Sequence, residues 1–273
     1  MEVIDVLEKP SEHHWSVLSV KSGLDENCAF FSEMIQEVKD VYGETSIISM
    51  VESLEAADTQ ISFDQTKIKN ALKIGLPNPA VEGTKPKQLT NYRSEAAELL
   101  ARKALVASYN ILFPVAAQTV KGNANQPILG FDGWGVLEYV DGSFGLVLVQ
   151  VKGSDENKSP PKVIQELLEE SKNTKFQVPT MVRALVTLAH LLKDEGLKAV
   201  LIKMLEEIGD EKLPSIIVAP VLIRGNLASS FDDIVDLING ALDFEPAKSR
   251  GATASIGQSL SDFGFELFTK ARS

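Results

Sequence analysis

Val136, Leu137, Tyr139 and Val140 precede Asp141-Gly142, and an almost unbroken apolar run from Phe144 to Val151 follows it. Two such runs around Asp-Gly predict a hairpin, because glycine accepts the positive φ of a tight turn. The continuous run after the turn predicts a strand buried on both faces. That strand ends in Gln150-Val151-Lys152. Side chains two apart on a strand share a face, so Gln150 and Lys152 point one way and Val151 the other. Pairing across the turn sets Asp132, at the start of the first strand, near Gln150 and Lys152. A buried apolar strand has no packing reason to end in a lysine. An unpaired buried charge is costly, so Lys152 calls for a specific partner or a polar cleft.

Helical spacing of apolar residues recurs elsewhere. It predicts helices over Asn27–Val38, over Ser94–Ser108 with Ser94 as N-cap, and over Lys162–Lys172, Thr180–Glu195 and Lys198–Ile208. Pro160-Pro161 suits the start of the third of these. Phe231–Leu242 reads as a short amphipathic helix. Strands are expected at Trp15–Val20, Phe113–Val120 and Leu213–Arg224, with an edge strand somewhere in the alternating tail Ser255–Lys270. Ile47–Leu54 fits either a strand or a helix. The Pro- and Gly-rich stretch from Gly75 to Lys87 reads as a linker or long loop. The expected organisation is an N-terminal α/β extension over 1–88 and a second α/β domain over 89–273. The fold class is α/β, with a mixed central sheet flanked by helices.

Composition narrows this further. The chain has 273 residues, and no run approaches the roughly 18 to 20 apolar residues of a membrane span. Its first residues are acidic and lack the apolar core of a secretory signal. The single Cys28 cannot form an internal disulfide, so a reducing, cytoplasmic setting is expected. The net charge of −11 counts against an independent, tight nucleic-acid binder, whose affinity comes from a basic surface. It leaves room for a nuclease whose DNA is delivered by a basic partner or motor subunit.

An acid, a polar oxygen and a lysine at one end of a hairpin suit a divalent cation, a water and hydrolysis of a phosphodiester. That arrangement, in the order helix, three strands, helix, strand over roughly residues 93 to 224, resembles the PD-(D/E)xK nuclease superfamily. The resemblance implies a restriction-endonuclease-like core. It also implies that Asp132 and Gln150 bind Mg²⁺ or Mn²⁺ and that Lys152 orients the attacking water or stabilises the transition state. The family often adds a glutamate from the first helix. Here Glu95 and Glu98 are the candidates, with Glu98 favoured because it sits beside the apolar stripe. Gln165 and Glu169, one turn apart, would line the cleft from the next helix. Gln at 150 departs from the usual acid; a Gln-x-Lys variant occurs in Mrr-like restriction nucleases. The wider layout is similar to the nuclease subunits of Hachiman anti-phage defence systems, which work on DNA beside a helicase subunit.

Plainer readings stand beside these. Asp132-Gly133 can begin a turn, Gln150 and Lys152 can be a strand emerging into water, and the four helical candidates can be solvated faces. On such readings the chain is a catalytically inactive nuclease-fold subunit acting as a binding or regulatory partner, or an adaptor whose hairpin only builds core. Elsewhere, His13-His14 lacks a third ligand at metal spacing and reads as a polar terminus. His190 and Cys28 read as structural. Gly251–Gly257 lacks the strand–glycine–helix context of a nucleotide loop, and Arg224-Gly225-Asn226 reads as a loop.

Overall fold

The computed structural model describes residues 1–9, 12–20, 28–57, 61–80, 91–114, 131–174, 177–192, 194–210, 212 and 215–273. Six strands form one sheet: β1 (Glu2–Lys9), β2 (His13–Ser19), β3 (Gly133–Glu138), β4 (Phe144–Ser154), β5 (Ile216–Arg224) and β6 (Lys248–Ser255). Their order is β1-β2-β6-β5-β4-β3. The inner four run parallel, while β1 and β3 are antiparallel edges. This is the expected mixed sheet flanked by helices.

Parallel strands lie between two helical layers, so their sequences carry apolar residues without alternation. Every residue of β5 is buried. One sheet face is covered by α1 (Ala29–Val41), α4 (Tyr92–Tyr109) and α9 (Leu260–Ala271), around Phe31, Leu100, Val149 and Phe263. The other face is covered by α5 (Val163–Thr174), α6 (Val178–Leu191), α7 (Glu195–Gly209) and α8 (Val235–Asn239). There Leu146 and Leu148 pack with Leu185 and Leu201, and Leu222 packs with Ile164 and Phe244. The helices α2 (Glu44–Ala56) and α3 (Gln65–Ile74) bury far less; Val51 is the buried residue of α2, and α3 has none.

The hairpin forms as its turn chemistry requires. Gly142 takes φ 78°, and the Asp141 carboxylate accepts hydrogen bonds from both the N–H and the hydroxyl of Ser143. Strand β3 then pairs with β4 from Glu138↔Phe144 to Gly133↔Val149.

Several sequence expectations change. Ile47–Leu54 lies inside the helix α2. The N-cap position of α4 is Asn91, and Ser94 is an exposed residue within its first turn. The expected strand Phe113–Val120 is represented by one bridge, Leu112 to Val136; residues 115–120 lie outside the described residues, as do 81–87 of the expected linker. Residues on both sides of position 88 share one sheet and one core, because β2 pairs with β6 and α1 packs on α9. The tail is the helix α9, not an edge strand. Its buried residues Leu260, Phe263, Gly264, Leu267, Phe268 and Ala271 follow a helical period, and the Ser259 hydroxyl caps it by accepting from the Asp262 N–H.

The strand β6 went unrecognised because Lys248–Ser255 is built of small and polar residues. Small size is what its central place demands. A Cβ at Gly251 would run into the buried Trp15 ring. Gly251→Ala is therefore expected to destabilise the protein by about 1–3 kcal/mol, as overpacking does, measured by urea denaturation; a neutral result would show that Trp15 has room to move. His13 is also not a polar terminus. It is buried in β2 with Nδ1 2.9 Å from the Ser249 hydroxyl, and burial lowers its pKa from the ordinary value.

Candidate functional site

Strand β3 stops at Gly133, while β4 continues to Ser154. Among the described residues β3 does not continue alongside β4 beyond Val149, and the backbone groups there need other partners. Asp132 supplies them. Its N–H donates to the Val149 carbonyl at 3.0 Å, and its Oδ2 accepts the Val151 N–H at 2.7 Å. Asp132 is thus clamped to the backbone on either side of Gln150. The sequence reading had joined these two residues through the hairpin register, and the structure places them side by side.

Alternation along β4 sends Val147, Val149 and Val151 to the α4 face and Leu146 and Leu148 to the opposite face. Gln150 and Lys152 continue the second series. Gln150 is buried, 5% exposed. Lys152 reaches α5, where its Nζ donates to Glu166 Oε1 and to Glu170 Oε1, both at 2.8 Å. Burial works to lower the lysine pKa, but the two carboxylates outweigh it and the net shift is upward. Glu166 is correspondingly lowered, chiefly by its hydrogen bond from Lys152. Lys152 therefore stays a cation at neutral pH.

The sequence reading offered Gln165 and Glu169 for this cleft beside the plainer reading of a solvated face, and both are exposed; the carboxylates that reach Lys152 sit one residue further along the helix. Helix α5 turns Ile164, Leu167, Leu168 and Ser171 inward. That rotation puts Glu166 and Glu170 on the side of Lys152. Gln165 instead donates to Asp236 at 2.5 Å, and Lys172 bridges Glu169 and Asp243.

The start of α5 is set by a buried arginine. Arg224, at the end of β5 and fully buried, donates through Nη2 to the carbonyls of Glu156 at 2.7 Å and Lys158 at 2.9 Å. Its Nε lies 3.4 Å from Asp233 Oδ1, and the same carboxylate oxygen accepts from the Ser159 hydroxyl. The loop carrying residues 156–159 into α5 is thereby pinned to the sheet. Arg224 ends the strand expected over Leu213–Arg224; the loop reading of Arg224-Gly225-Asn226 gave no sign that it holds another loop in place.

Glu98 and Glu95 lie elsewhere. Helix α4 covers the sheet face opposite to Gln150 and Lys152: Ala97 Cβ would stand 3.4 Å from a Cβ at Gly153. Glu95 is fully buried and accepts from the Tyr42 hydroxyl at 2.7 Å. Burial first, then the charge and hydrogen bond of Glu95, then the charge of Glu98, push Tyr42 well above its ordinary pKa. Both glutamates thus belong to the α4 layer beside α1. The choice of Glu98 as a ligand alongside Asp132 and Gln150 finds no support in this placement.

Asp132 and Gln150 offer hard oxygen donors of the kind Mg²⁺ accepts. Such an ion commonly takes one or two carboxylates from the protein and fills its remaining positions with water and substrate phosphate. Among the described residues, no group of three or more His, Cys, Asp or Glu side chains is placed to hold a metal. Among the described residues, Asp132 and Gln150 are the candidate oxygen donors at this corner. Among the described residues, no helix is long and apolar enough to cross a membrane.

Comparison of the whole chain with protein-family profiles gives no match, and comparison with curated proteins gives none.

Proposed function

We propose that this chain is a metal-dependent DNA nuclease that hydrolyses phosphodiester bonds. In this reading it is the effector subunit beside a helicase in an anti-phage complex, like the Hachiman nucleases it resembles, and it works in the cytoplasm. The observation that carries the reading is the corner at the end of β4: Asp132 clamped around Gln150, with the cationic Lys152 two residues further along the same face. The order α4, Leu112 bridge, β3, β4, α5, β5 matches the helix, meander, helix, strand core of the PD-(D/E)xK nucleases.

Mg²⁺ or Mn²⁺ at Asp132 and Gln150 would polarise the phosphoryl group and lower the pKa of a bound water. The chain's own contribution is positional and electrostatic. The Val151 N–H holds one oxygen of the Asp132 carboxylate and so sets the direction in which the carboxylate faces. Lys152 brings a positive charge to the place where negative charge grows on the phosphate. Being held protonated, it acts as a hydrogen-bond donor, not as the base that takes the water's proton. The acidic surface leaves DNA binding to the basic motor partner.

A second reading is a catalytically inactive nuclease-fold subunit. It draws on the uncharged Gln150 and on Glu98 lying across the sheet from Lys152. Plasmid and single-stranded DNA, incubated with the chain and Mg²⁺ or Mn²⁺ with and without the helicase, separate the two. The nuclease reading expects cleavage that chelation of the metal abolishes. No cleavage under any condition, together with no measurable Mn²⁺ binding by calorimetry, would establish the inactive subunit instead.

A further inference from the structure

We propose that Glu166 and Glu170 are positioning residues of this site. Together they fix the Lys152 ammonium so that its remaining N–H meets a non-bridging oxygen of the DNA phosphate, an assignment that rests on the nuclease reading above. An ammonium has three N–H donors in tetrahedral arrangement. Among the described residues, two of them are taken by carboxylates one helical turn apart on α5, at 2.8 Å each. Two fixed donors determine the direction of the third, so the pair removes the rotation that a lysine head otherwise keeps.

This pairing differs from the local lysine–glutamate contacts of the surface. Lys198–Glu195 and Lys203–Glu206 join neighbours three apart on one helix. Such local pairs form wherever the spacing allows and contribute little. Lys152 comes from a strand end and its two carboxylates come from a helix, so the contact depends on where α5 sits. That placement is set by a separate device, Arg224 holding the loop at Glu156 and Lys158. The Lys152 side chain is 21% exposed, so its stem is covered while the carboxylates it meets face water.

The test uses the full chain carrying Glu166→Gln/Glu170→Gln, with Glu169→Gln as the control on the same helix. Gln keeps an oxygen acceptor and removes the charge that aligns the ammonium. Two readouts are taken: single-turnover cleavage with its DNA affinity, and the ¹⁵N resonance of Lys152 Nζ with and without a short DNA duplex. The double variant is expected to cleave about 100-fold more slowly at unchanged DNA affinity, the scale of a misplaced catalytic group. The Nζ resonance should shift on adding DNA in the wild type and fail to shift in the double variant, while Glu169→Gln behaves as wild type. Wild-type cleavage and a wild-type Nζ response in the double variant overturn the proposal and leave the nuclease reading standing. If the wild type cleaves neither alone nor with the helicase present, the nuclease reading falls and the Nζ response decides the rest. A DNA-induced shift lost in the double variant upholds the positioning role, and no shift in the wild type overturns it.

Discussion

Lys152→Ala is expected to abolish DNA cleavage while leaving the fold intact. Removing a charge aimed at the developing negative charge of a transition state typically costs about 10²- to 10³-fold in rate. Stability should change little, within about 1 kcal/mol, because the partners Glu166 and Glu170 are substantially exposed and such pairs are screened by water. The truncation does leave two carboxylates one turn apart, a repulsion of a few tenths of a kcal/mol. Lys152→Met, which keeps the stem, serves as the packing control. Cleavage at the wild-type rate in both variants would remove Lys152 from the mechanism; a collapsed far-ultraviolet spectrum would show that the lysine holds the fold.

The largest loss of stability is expected at Arg224. The Arg224 and Asp233 side chains are 0% and 1% exposed. Taking away one partner of such a pair leaves a buried charge uncompensated and costs about 3–5 kcal/mol. Arg224→Met also strips the Glu156 and Lys158 carbonyls of their donor. The loss should appear in urea denaturation, and the loop ahead of α5 should exchange its amide hydrogens faster than the β4 backbone. An effect below about 1 kcal/mol, the usual limit for surface pairs, would mean the arginine does not anchor the loop. Because α5 carries Glu166 and Glu170, this variant should also loosen Lys152 and slow cleavage without touching the cleavage site.

The local patterns read true where the chain's own period decides them. Asp141-Gly142 and the apolar runs around it predicted β3 and β4, and the long apolar run before Arg224 predicted β5. Where neighbours from distant sequence decide, the same reading slipped. The phase of α5 depends on which residues fit against Leu222 and Phe244, so the sequence named no partner for Lys152, and the residues it offered for the cleft, Gln165 and Glu169, are not the ones that reach it. At Gly251 the strand β6 has no side chain to signal it, because Trp15, from another strand, occupies the space that side chain would fill. The alternating look of the tail hid the helical stripe that α9 lays against α4.

The sequence by itself determined the hairpin, and so the nearness of Asp132 to Gln150 and the common face of Gln150 and Lys152. Turn closure and the two-residue period of a strand are local, and nothing distant can alter them without breaking the hairpin. The tertiary structure alone decided which carboxylates reach Lys152, and it set Glu95 and Glu98 apart from it. Those outcomes follow from which face of the sheet each helix covers and how it is rotated there, and long-range packing chooses both.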